Sequence, residues 1–186
     1  AKIDALREKA EKGDAGAQIS LGLMYANGEG VPEDDVEAVK WFRKAAEQGH
    51  VSAQFYLGVM YNKGEGVSQD YVEAVKWYRR AAEKEDYRAQ HNLALLYDYG
   101  NGVSENDAEA VKWYRKAAEQ GHEDSQYSLG LMYTYGYGVP KNDVEAFRWY
   151  RKAAEQGDMA AQHTIGAIFY SGFGASKNYI ESYKWL

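Results

Sequence analysis

Ala17-Gln18-Ile19-Ser20-Leu21-Gly22-Leu23-Met24-Tyr25-Ala26-Asn27-Gly28-Glu29-Gly30-Val31 returns 36 residues later as Ala53-Gln54-Phe55-Tyr56-Leu57-Gly58-Val59-Met60-Tyr61-Asn62-Lys63-Gly64-Glu65-Gly66-Val67. The same spacing of 36 carries all five tryptophans, Trp41, Trp77, Trp113, Trp149 and Trp185, and the glutamines Gln18, Gln54, Gln90, Gln126 and Gln162. Of the 19 glycines, every one but Gly16 falls in four columns that begin at Gly13, Gly22, Gly28 and Gly30. An internal repeat of this length sets the architecture before any local argument is made.

Within one copy, Ala17, Leu21, Met24 and Tyr25 recur at i, i+4, i+7 and i+8, which is one apolar face of an α-helix. This spacing predicts a first helix, A, over roughly residues 15–27. The Gly-x-Gly-Val that follows supplies glycine where a helix ends in a left-handed residue. Asp34, Asp70, Asn106, Asn142 and Asn178 then each stand three residues before Glu37, Glu73, Glu109, Glu145 and Glu181. That is a capping-box variant opening a second helix, B, with the N-cap acceptor contributing about 1 kcal/mol. Helix B carries Ala38, Trp41, Phe42 and Ala45 on one face and ends at Gly49, Gly121 or Gly157, with Glu85 the exception. Helices this short do not bury such faces alone, so the copies must stack. Gly22, Gly58, Ala94, Gly130 and Gly166 interrupt helix A at a cost in propensity of about 1 kcal/mol per glycine. Close approach of a Trp or Tyr from helix B is the expected reason.

The pattern from Ala-Gln through Leu-Gly-x-Met-Tyr, Gly-x-Gly-Val and Glu-Ala to Trp-Tyr/Phe-Arg-Lys-Ala-Ala-Glu-Gln-Gly resembles the Sel-one-like repeat, a tetratricopeptide-like unit with a longer internal loop. The resemblance covers nearly the whole chain. It implies an all-α, right-handed α/α superhelix, a solenoid with the A helices on its concave side, and a role as scaffold or adaptor. One repeat domain over 1–186 is expected, with repeats at about 14–49, 50–85, 86–121, 122–157 and a truncated 158–186. Residues 1–13 read as a helix B without its helix A, an N-terminal cap. The pattern departs at Glu85, at Ala94 and, in the last copy, at Ile165, Phe169, Ala175 and Ser182. The missing initial Met and the stop inside the pattern at Trp185-Leu186 mark the chain as a piece of a longer array.

Composition narrows the function classes. A net charge of -6 argues against a surface that tracks nucleic-acid phosphates. The absence of cysteine removes disulfides, thiolate metal sites and cysteine nucleophiles, and is compatible with a cytoplasmic or an exported bacterial protein. No run approaches the 18 apolar residues of a membrane span, and the charged N-terminus is no signal peptide. Ser-x-x-Lys, Ser-Asp-Asn, Lys-Thr-Gly and His-Glu-x-x-His are all absent, so the chain reads as a non-enzyme with no cofactor. The alternatives are a β-lactam-binding or hydrolysing enzyme, as the resemblance to cysteine-rich relatives suggests, and a self-associating structural repeat using its open C-terminal end.

Positions that hold one residue in every copy serve the scaffold, whereas positions that vary are free to be specific. The second stripe of helix A begins at Gly16, Ile19, Leu23, Ala26 and Asn27. Its most varied column reads Ile19, Phe55, His91, Tyr127, His163; the column that ends the helix reads Asn27, Lys63, Tyr99, Tyr135, Ser171. Aromatic residues dominate interface energetics. The candidate partner-binding residues are therefore Phe55, Arg88, His91, Asp98, Tyr99, Tyr127, Tyr135, His163 and Tyr170, with a protein or peptide as partner. Packing between neighbouring A helices is the competing account for the Ile19 and Leu23 columns. His91 and His163 lie two repeats apart, too far to share a metal ion, and His50 and His122 occupy a capping column.

Overall fold

The computed structural model describes residues 2–171 and 184–185; the helix start expected at Asn178 and Glu181, and the departures at Ala175 and Ser182, lie outside them. Among the described residues the regular structure is helical throughout: α1 (Lys2–Glu11), α2 (Ala15–Asn27), α3 (Asp35–Glu47), α4 (Val51–Lys63), α5 (Tyr71–Ala82), α6 (Tyr87–Tyr99), α7 (Asp107–Glu119), α8 (Glu123–Tyr135), α9 (Asp143–Gln156) and α10 (Met159–Ser171). The class is the all-α helix-turn-helix solenoid, with even-numbered A helices and odd-numbered B helices. The chain forms two compact units, residues 1–89 with 101–104 and residues 90–100 with 105–186.

The punctuation acts as the residue types dictate. Gly28 ends α2 at φ 67°, and Gly64 and Gly136 end α4 and α8 at φ 76°. Asp34 accepts the Glu37 N–H at 3.0 Å, and Asp70, Asn106 and Asn142 do the same for Glu73, Glu109 and Glu145. Only this half of the capping box forms. The N-cap N–H donates instead to a carbonyl in the last turn of the preceding A helix, Asp34 to Tyr25 at 2.9 Å and Asn142 to Tyr133 at 2.9 Å. The freed glutamates pair along their own helix, Glu37 with Lys40 and Glu145 with Arg148. One bond thus satisfies an orphan carbonyl of one helix and an orphan donor of the next.

In the first unit, Ala38, Phe42, Ala45, Ala53, Leu57 and Met60 form a buried cluster with Trp77, and Trp41 joins Ala10, Ala17 and Leu21. The expected tight approach at the helix A glycines is present, but the visiting ring is not Trp. A Cβ on Gly22 would lie 2.5 Å from the Phe42 ring, and one on Gly130 would lie 2.5 Å from the Tyr150 ring. The position after each tryptophan faces helix A inside its own repeat, while Trp77 packs on the cluster of the repeat before it.

The invariant glutamines bridge helices. Gln18 donates to the Ala10 carbonyl at 2.9 Å and accepts from Gln48 at 2.7 Å; Gln126 donates to Ala118 at 3.1 Å and accepts from Gln156 at 2.7 Å. Gln54 donates to Ala46, but the residue in the donor column is Lys84, whose ammonium turns to the Gly49 carbonyl at 2.7 Å. The buried Oε1 of Gln54 is left without a protein partner. The adjacent Glu85 takes the left-handed φ of 66° that glycine holds in the other copies. Lys84→Gln and Glu85→Gly should each stabilise the protein by about 1 kcal/mol, by satisfying a buried acceptor and by relieving backbone strain. The denaturant midpoint of the double variant should exceed that of either single change; a midpoint unchanged in all three contradicts the reading of this boundary.

Candidate functional site

In the first unit, Phe55 and Arg88 turn to each other. The Arg88 guanidinium stands over the Phe55 ring at 4.3 Å and pairs with Asp86 at 2.6 Å, while Asp86 accepts the backbone N–H groups of Arg88 and Ala89. The bond to Asp86 raises the Arg88 pKa further. Asp86 therefore caps α6 and holds the arginine at once. Ile19, Leu23 and Ala26 lie half-buried against the cluster of the next repeat, so these columns contribute to packing.

In the second unit, His91 and His122 come together around Ser125. His91 Nδ1 lies 2.8 Å and His122 Nδ1 2.9 Å from the Ser125 hydroxyl, and the two rings are 4.7 Å apart between centroids. His122 caps α8, its Nδ1 accepting the Ser125 N–H at 3.3 Å. That nitrogen carries no proton, so Ser125 donates to His122 and the His91 Nδ1–H donates to Ser125. His50, in the same column as His122, makes no side-chain cap.

Asp98 accepts the Tyr114 hydroxyl at 3.2 Å. Burial raises the Asp98 pKa, and burial together with the Asp98 charge raises that of Tyr114. Tyr127 is half-buried with its ring 5.4 Å from that of Tyr150, and with Leu131 it packs on the cluster of Ala161, Ile165 and Ile168. Trp185 joins the same cluster. Tyr99, Tyr135 and Tyr170 are exposed, at 68%, 63% and 63%, and His163 is exposed on the same helix as Tyr170. Tyr137, which the sequence reading passed over as a loop residue, stacks on Tyr135 at 5.6 Å and is itself exposed. Its signal was the replacement of Glu29 and Glu65 by an aromatic at that loop position.

Stacked helix pairs with no strand, a fixed set of bridging and capping residues in every copy and variable aromatics on the A helices define a solenoid repeat protein. The Sel1 repeat family model matches residues 15–50, 51–86, 88–122, 123–158 and 160–186. The chain belongs to the Sel1 repeat family, whose members are generally protein-interaction scaffolds and whose fold is typically non-catalytic. A protective antigen of uropathogenic Escherichia coli displaying an SLR fold is 45% identical, with a TM-score of 0.96 over 98% of this chain and 39% of that one. A Sel1 repeat protein from Oxalobacter formigenes is 39% identical, with a TM-score of 0.87 over 92% of this chain and 68% of that one. Among curated proteins, an exopolysaccharide production negative regulator of Rhizobium leguminosarum bv. viciae is 50% identical over 38 residues, 20% of this chain and 14% of its own length. The chain thus spans well under two thirds of the Escherichia coli and Rhizobium proteins.

The buried histidine pair predicts a pH dependence. Burial, with the nearby His122 acting in the same direction, lowers the His91 pKa to about 4, Asp124 opposing. The unfolded chain therefore takes up a proton near pH 6.5 that the folded chain refuses until about pH 4. Stability is complete above pH 6.5 and falls through that window, by about 3 kcal/mol at its lower end. His91→Asn keeps a donor for Ser125 and removes the titration. Its unfolding free energy should lose correspondingly less between pH 7 and pH 4, and equal losses in both proteins would refute the assignment.

Proposed function

We propose that the chain is a scaffold that binds a protein or peptide segment, with Tyr99, Tyr135 and Tyr170 as aromatic anchors on the A helices of the second unit. The observation that carries this reading is the exposure of three large aromatic side chains on those helices, at 68%, 63% and 63%. Tyrosine offers a large, stiff contact area whose desolvation on binding is favourable and whose ordering costs little entropy. His163 belongs to the same exposed set. Phe55, Arg88, His91, Asp98 and Tyr127 act behind it in this reading, as residues whose polar groups or rings are held by neighbours and which shape the surface through them.

Hydrolysis by an activated serine is the weaker reading. Ser125 is the serine set between two imidazole nitrogens, and at 0% exposure its hydroxyl is out of reach of a substrate. Its role in our reading is to cap and to bridge.

Affinity capture of partners on the immobilised chain, alongside a variant carrying Tyr99→Ala, Tyr135→Ala and Tyr170→Ala, tests the proposal. The replaced side chains are largely exposed, so the variant should melt within a few degrees of the parent. A protein held by the parent and lost by the variant is the expected outcome. Equal recovery by a folded variant would overturn the assignment of the anchors.

A further inference from the structure

The tyrosines at the ends of α6 and α8 are bordered by negative charge. Tyr99 precedes Gly100, where a Cβ would lie 3.3 Å from the Glu105 side chain. Tyr137 precedes Gly138, whose Cα is pressed so closely onto the backbone of Asp107 that a Cβ there would overlap it. The Asp98 carboxyl, whose pKa burial raises, is pushed further in that direction by the charges of Asp107 and Glu105. Among the described residues, no Lys or Arg pairs with Glu105 or Asp107. The carbonyl ends of α6 and α8 add partial negative charge at Tyr99 and Tyr135.

Elsewhere the chain covers its tyrosine rings with its own cations. Arg43 stands over Tyr61 at 5.9 Å and Arg115 over Tyr133 at 5.6 Å, each also donating to the ring hydroxyl. Among the described residues, no such cation covers Tyr99, Tyr135 or Tyr137. A guanidinium suits the vacant faces: it is flat, weakly hydrated and attracted by both the ring quadrupole and the carboxylates. The net charge of -6 favours the approach of a basic partner over an acidic one.

We infer that Tyr99, Tyr135 and Tyr137, with Glu105 and Asp107, form a docking surface for a basic, arginine-bearing segment of a partner protein. The inference rests on the partner-binding reading above and specifies the partner's chemistry. Fluorescence anisotropy with a labelled Arg-Gly repeat peptide and its Glu-Gly counterpart, at low and high salt, tests it on the full chain. The Arg-Gly peptide should bind at least about tenfold more tightly than the Glu-Gly peptide and weaken as salt rises. Tyr135→Ala with Tyr137→Ala should weaken it about tenfold, two exposed ring contacts being removed. Glu105→Gln with Asp107→Asn should remove most of the salt dependence. Equal binding of the two peptides, or tyrosine variants that bind the Arg-Gly peptide unchanged while circular dichroism shows them folded, would overturn the inference. If those same variants still lose a captured partner, the charge assignment falls and the scaffold reading stands; a captured partner kept by the tyrosine variants overturns the reading beneath it.

Discussion

Gly66 lies with its Cα against the first residue of α3, so close that a Cβ would overlap the Asp35 carbonyl. The loop that closes one repeat thus rests on the start of helix B in the repeat before it, and Gly102 on Tyr71 and Gly138 on Asp107 repeat the contact. The second glycine of Gly-x-Gly-Val is therefore needed for space as well as for its left-handed backbone. A helix pair of this size has too little apolar surface to fold alone, so what fixes the spacing between pairs fixes the fold. The buried glutamines act on the same interval, tying the end of a B helix to the A helices on either side of it.

How far the sequence could be read follows from the range of each interaction. Helix ends were legible because caps are local: Asp34 and Gly28 act within a few residues of themselves. The columns at a spacing of 36 were legible as identities but not as contacts, because stacked repeats meet at other offsets. Gln48 meets Gln18 at an offset of 30, His91 meets Ser125 at 34 and Lys84 meets Gly49 at 35. Comparing equal positions therefore exposed Glu85 as an exception, yet could not show that His91 and His122 share a serine or that Arg88 stands over Phe55. The diverted half of the capping box was hidden for the same reason, since the acceptor for Asp34 is the carbonyl of Tyr25 in the helix before.

The candidate site divides along that line. Side chains toward the start and middle of the A helices, such as Phe55, His91 and Tyr127, are drawn into contacts with the next repeat and are half-buried. Side chains at the ends of those helices, Tyr99 and Tyr135, extend beyond the packed part and stay exposed. A repeat scaffold varies its surface most freely where stacking makes no demand, and in this chain that place carries tyrosine.

The dependence of the fold on backbone contact between repeats is tested most directly by comparing Gly66→Ala with Gly13→Ala. Both glycines have positive φ, at 66° and 97°, but a Cβ on Gly13 would meet nothing within 4 Å. Denaturant unfolding should show a loss of about 1 kcal/mol for Gly13→Ala, from backbone strain alone, and roughly 3 kcal/mol for Gly66→Ala, where overlap with α3 is added. Equal losses at the two sites would contradict the account, because the glycine would then serve only its own turn.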